Sequence, residues 1–162
     1  MDDAIKAAGG APVANRTGHT FMKARMRQEN APFAGESSGH YYFRDSFYAD
    51  NGIAPFLKIL ELTSQTRQTL AQLVEPLMLS YKVSGEINFT VIDAKNTVAK
   101  IEEKFAPLGE VDKTDGLVID SAKWRFSMRS SNTEPLLRLN AESKSQEELD
   151  KLVTELQKII NT

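Results

Sequence analysis

Cysteine is absent from the 162 residues. That one absence removes disulfides, thiolate nucleophiles and every metal centre built on thiolates. It also permits a reducing compartment such as the cytoplasm. Histidine is scarce: His19 and His40 are the only two, 21 positions apart, which reads as a poor zinc site. Charge of one sign is lacking as well. Twenty Lys+Arg against 22 Asp+Glu leave a formal −2, so there is no global basic field to hold nucleic acid or an anionic membrane, and neither is an expected partner. No long apolar run exists. The most apolar stretch, residues 53–62, is broken by Lys58 and Glu61 and is too short to span a bilayer. The acidic start, Met1-Asp2-Asp3, does not resemble a signal peptide. There is no P-loop, no dinucleotide glycine fingerprint and no serine in a nucleophile elbow. Residues 112–116 miss the calcium-loop spacing, because Val111 falls where the first ligand should be.

What remains is ordinary globular composition, 41% hydrophobic and 26% charged. The first half alternates short elements. Residues 4–8 read as a helix end stopped by Gly9-Gly10, 11–16 as a strand, 20–28 as a basic helix and 32–35 as a strand. Asp50 or Asn51 can cap a helix carrying Ile53, Phe56, Leu57 and Leu60. Residues 64–68 interrupt that helix, and Leu70, Leu73 and Val74 resume the pattern until Pro76 ends or kinks it. Residues 80–84 read as a linker.

The second half changes character. Strands are expected at 85–92, 117–120, around Trp124-Arg125-Phe126-Ser127-Met128 and around Leu137-Arg138-Leu139-Asn140-Ala141. Asp93 caps one helix, and Ser145 with Glu148 caps the last in a capping-box pattern. The fold class is thus α/β followed by α+β: an incomplete α/β unit over 1–79, then a small domain over 80–162 with a mostly antiparallel sheet and helices on one face.

Three polar segments stand out. Arg129-Ser130-Ser131-Asn132-Thr133-Glu134-Pro135 joins two strands, with Arg138 just beyond it. Between Lys123 and Arg138 there are four basic residues and one acid, a local charge of +3. Hydroxyls, an amide and a guanidinium suit a phosphate, although composition alone is satisfied by a hairpin turn. Gly35-Glu36-Ser37-Ser38-Gly39-His40 is a loop whose carboxylate and hydroxyls can meet a sugar, or simply face water. His19, in Arg16-Thr17-Gly18-His19, stands at a helix start where it can exchange protons, bind an anion or sit solvated. The aromatic run Tyr41, Tyr42, Phe43, Phe47 and Tyr48 is a sugar platform or, more simply, packing.

These three segments, in this order and with Gly85-Glu86-Ile87-Asn88 between the last two, resemble the C-terminal part of bacterial phosphomannomutase/phosphoglucomutase, of the α-D-phosphohexomutase superfamily. The resemblance covers essentially the whole chain, as the latter part of domain three plus domain four. It implies a cytoplasmic isomerase that moves phosphate between C1 and C6 of glucose or mannose through a bisphosphate intermediate. It implies that Glu36 and Ser38 bind sugar hydroxyls with His40 supporting them, that Arg129, Ser131, Asn132 and Thr133, with Arg138, hold the non-transferred phosphate, and that His19 assists. Serine at position 37 departs from the family's larger residue. The family's phosphoserine loop and its Asp-Gly-Asp-x-Asp-Arg magnesium loop have no counterpart in these residues. No cofactor is therefore expected in this chain, with Mg2+ confined to the full-length parent. The expected function is that of an inactive mutase fragment that keeps its hexose-phosphate clamps, with the missing N-terminal domains as a partner in trans. The alternative is a free-standing sugar-phosphate- or partner-binding module.

Overall fold

A computed structural model describes residues 2–131 and 135–161. It divides into two compact units, Met1–Arg67 and Gln68–Thr162.

The first unit opens with α1 (Asp2–Ala7). Residues 11–16, expected as a strand, are irregular. A strand needs a neighbour to take its backbone hydrogen bonds, and the only described sheet of this unit does not include the segment; Pro12 also lacks a donor. α2 (His19–Glu29) follows and ends where Asn30 turns left-handed. β1 (Phe33–Gly35), β2 (Tyr41–Phe43) and β3 (Ala49–Asp50) make a three-stranded antiparallel sheet in sequence order. Met22 and Met26 of α2 pack with Tyr42 of β2 as a small core. α3 (Ile53–Thr66) is capped by Asn51, whose Oδ1 accepts from the N–H groups of Ile53 (2.9 Å) and Ala54 (3.1 Å). It stops at left-handed Arg67, inside the expected interruption.

The second unit starts with α4 (Leu70–Ser80). Thr69 and Gln72 form a reciprocal capping box at its start. Pro76 does not end this helix. A proline removes one intrahelical hydrogen bond, and here the helix runs four residues further, with Ser80 Oγ donating to the Pro76 carbonyl at 2.7 Å.

β4 (Lys82–Thr90) absorbs most of the expected linker. Its register against β8 (Leu136–Ser143) shifts between Val83 and Glu86, where Gly85 adopts φ 68°. Serine and glycine there mark a bulge rather than a connection. α5 (Ala94–Phe105), β5 (Glu110–Asp112), β6 (Leu117–Asp120), β7 (Trp124–Ser130) and α6 (Gln146–Ile160) complete the unit. β5, too short to show an alternating pattern, was not expected. The sheet order is β4-β8-β7-β6-β5, antiparallel throughout. Alternate residues Phe126, Met128, Leu137, Leu139, Leu117 and Ile119 are buried and pack with Ile101 and Phe105 of α5 and with Leu149, Leu152 and Leu156 of α6. The helices therefore cover one face. No helix of the described residues is long and apolar enough to cross a membrane.

Candidate functional site

The β1–β2 connection, residues 36–40, is a tight loop. Glu36 N–H donates to the His40 carbonyl (2.9 Å), and Gly39 N–H donates back to the Glu36 carbonyl (3.0 Å). Gly39 turns the chain at φ 86°, a conformation that other residues rarely adopt. The loop presents its side chains already engaged. Glu36 Oε1 accepts from the phenol of Tyr42 at 2.6 Å, and Oε2 accepts from Ser38 Oγ at 3.4 Å. Tyr42 is fully buried. Burial, followed by the hydrogen bond to Glu36 and its charge, pushes the phenol's pKa upward, so it stays protonated and keeps donating.

At the loop's far end the Nδ1–H of His40 donates to Asp50 Oδ2 at 2.7 Å, while Tyr41 N–H donates to Oδ1 at 3.2 Å. The bond from His40 is the main reason that the Asp50 carboxyl titrates below its ordinary value. His19, the first residue of α2, sets its ring edge-on to His40 at a centroid distance of 4.6 Å and to Tyr42 at 5.6 Å. One surface thus gathers His19, Glu36, Ser38 and His40, residues up to 21 positions apart. The only group of three or more ligating side chains among the described residues, His19 with His40 and Asp50, has two nitrogens and one carboxylate, whereas Mg2+ takes oxygens.

Two members escaped the sequence reading. Tyr42 lay inside the aromatic run, and only the pleat shows that it points inward. By sequence Asp50 and Asn51 are equal candidates for the helix cap; Asn51 does the capping, which leaves the Asp50 carboxylate for His40. The hairpin also brings His19 and His40, 21 positions apart in sequence, into ring contact. The aromatic platform does not form as a unit: Tyr42 is packing, and Phe47 projects into solvent.

The second cluster lies at the β7–β8 hairpin. Asn132 and Thr133, which the resemblance assigns to phosphate, lie outside the described residues. At the base of the hairpin Ser131 N–H donates to the Leu136 carbonyl at 2.8 Å. One step further Arg129 stands directly opposite Arg138. Like charges in that position repel. Arg129 Nη1 donates to Asp115 Oδ2 at 3.4 Å, a contact that the sequence reading also missed. The Nε of Arg138 is buried with no hydrogen-bond partner among the described residues. Paired guanidiniums are able to bind an anion through several donors at once.

An α/β unit with a polar hairpin loop, followed by an α+β domain whose own hairpin carries paired arginines, defines a two-domain protein of phosphohexomutase architecture. Comparison with known proteins supports this. Residues 1–81 match the family model "Phosphoglucomutase/phosphomannomutase, alpha/beta/alpha domain III". Residues 86–159 match "Phosphoglucomutase/phosphomannomutase, C-terminal domain". The chain belongs to the phosphoglucomutase/phosphomannomutase family and corresponds to its C-terminal domains. It is 49% identical over 158 residues, 97% of its length, to the phosphohexose mutases of Xanthomonas campestris pv. campestris strain B100, of which this covers 35%. It is 48% identical over 141 residues, 86% of its length, to the phosphomannomutase of Salmonella typhimurium strain LT2, covering 31% of that protein. A crystal structure of a phosphoglucomutase/phosphomannomutase family protein from Burkholderia thailandensis superposes with a TM-score of 0.77 at 28% identity, over 98% of this chain and 34% of that one. The chain spans about a third of the length of these relatives.

Proposed function

We propose that the chain is the hexose-phosphate-holding portion of a phosphomannomutase/phosphoglucomutase, with the domains divided near residue 80. Glu36 and Ser38 take sugar hydroxyls, steadied by His40. Arg129, Ser131, Asn132, Thr133 and Arg138 take the phosphate that is not transferred. The two ends of a bisphosphorylated hexose exchange roles midway through the reaction. A fixed phosphate clamp and a fixed hydroxyl clamp serve either orientation. His19 is an auxiliary in proton transfer. The observation that carries this reading is the Arg129–Arg138 juxtaposition, on the two strands that flank a sequence segment rich in donors.

The clamps position and do not react. With no phosphoserine run or Asp-Gly-Asp run in the sequence, the isolated chain is expected to bind hexose phosphate weakly and not to turn it over. The partner in this reading is the remainder of the family's longer polypeptide. The apolar residues of α3 favour a partner: Ile53, Phe56 and Leu57 are exposed, and none of its residues is buried.

The test is a titration with glucose 1-phosphate and mannose 1-phosphate, followed by backbone amide shifts. Shifts confined to residues 36–40 and 129–136 are expected, and Arg129→Ala should abolish those of the second group. A charge-assisted contact is worth about 1.5–3 kcal/mol, so affinity should fall by about one to two orders of magnitude. Scattered shifts that survive Arg129→Ala would reduce the loop to a turn. Turnover by the purified chain alone would contradict the division of labour. Turnover regained on adding the unmatched N-terminal part of the Xanthomonas relative would support the partner.

A further inference from the structure

We propose that His19, His40 and Asp50 form a binding site for one divalent transition-metal ion, with Zn2+ the best-fitting ion. The three side chains come from separate elements: the first turn of α2, the end of the 36–40 loop and β3. Their ligand atoms all lie within 4.8 Å of one another. Two imidazoles and one carboxylate are a donor set suited to Zn2+ or Co2+, leaving one or more positions for water.

The fit needs small movements. Donors about 2.0–2.2 Å from a tetrahedral ion stand about 3.3 Å apart. His40 Nδ1 and Asp50 Oδ2 must therefore open from 2.7 Å, and the widest pair must close. All three side chains have the freedom to do so, since none is buried. The ion takes the place of the proton between His40 and Asp50, and the imidazole then carries its proton on Nε2. Asp50 is held from behind by Tyr41 N–H on Oδ1, so Oδ2 stays directed at the ion. A backbone hydrogen bond to a ligating carboxylate is the kind of outer support that metal sites use. Mg2+ is excluded by the nitrogen donors and the single carboxylate. The proposal stands on these three side chains and does not depend on the hexose-phosphate reading.

Because the chain has only two histidines, their ring nitrogen resonances report the site without ambiguity. Titration of the full chain with ZnCl2 should shift both rings together and saturate at one ion per chain, and Co2+ at the same site should develop a visible d–d band. His19→Ala, His40→Ala and Asp50→Asn should each weaken Zn2+ binding at least about tenfold, the scale on which even outer-shell partners matter. MgCl2 should leave both rings in place. Amide spectra identify any variant that fails to fold, and the wild-type ring shifts then decide. The proposal is overturned if Zn2+ moves neither ring or only one, if His19→Ala and Asp50→Asn bind as the wild type does, or if Mg2+ produces the same shifts.

Discussion

The phenol of Tyr42, fully buried against Met22 and Met26, donates a 2.6 Å hydrogen bond to Oε1 of Glu36. A core residue of the small unit thereby fixes the carboxylate at the start of its most polar loop. Tyr42→Phe keeps the ring and removes only this donor. A lost hydrogen bond to a charged group costs about 1.5–3 kcal/mol, with the low end expected because Glu36 is only half-buried. Thermal unfolding should show that loss. Hexose-phosphate shifts in residues 36–40 should weaken while those near Arg129 persist. Unchanged stability and unchanged loop shifts would show that the bond orients nothing.

Arg129 and Arg138 repel across the β7–β8 ladder. Arg138→Gln should therefore stabilise the chain slightly in phosphate-free buffer, by about 0.2–1 kcal/mol. The same substitution should remove most of the stabilisation that inorganic phosphate confers on the wild type. Melting curves with and without phosphate provide both numbers. A variant less stable than the wild type in plain buffer would mean that the guanidinium is satisfied without an anion.

Phe105 and Phe56 make a second contrast. Phe105 is 1% exposed and meets Trp124 and Phe126 edge-on, whereas Phe56 is 56% exposed. Phe105→Ala should cost about 3–5 kcal/mol. Phe56→Ala should stay within about 0.5 kcal/mol in the isolated chain. Amide exchange should be slowest in β7, β8 and α6, which line the larger core, and fast along α3. Protection of α3 equal to that of α6 in a monomer would contradict this.

Acid should act through specific carboxylates. Asp112 accepts from Thr114 Oγ1 (2.6 Å) and Thr114 N–H (2.8 Å), and these bonds hold its pKa below the ordinary 3.8. Asp50 is lowered by His40. The native state thus binds fewer protons than the unfolded chain. Their contribution is complete above about pH 5 and is lost as pH falls through and below 3.8. Asp112→Asn should flatten that acid limb in an unfolding series from pH 6 to about pH 2.5. A limb identical to that of the wild type would place the acid sensitivity elsewhere.

The sequence by itself determined most strands and both later helices of the second unit. Alternation in Trp124-Arg125-Phe126-Ser127-Met128, the Asp93 and Ser145 caps and the stripe from Leu149 to Ile160 are local signals, and the core formed where they placed it. Motif order likewise sufficed for the family, because three loops in sequence need no coordinates to be recognised. Local signals failed where hydrogen bonding is non-local. Residues 11–16 have strand composition and no strand partner among the described residues, while Lys82, Val83 and Ser84 look like a linker and pair with β8 across a bulge. Tertiary structure alone decided the chemistry of the first unit. The hairpin turned 21 residues of separation between His19 and His40 into ring contact, and the pleat turned Tyr42 inward beneath Glu36. It also put Arg129 opposite Arg138, because the pairing register of β7 with β8 is seen only in the folded sheet.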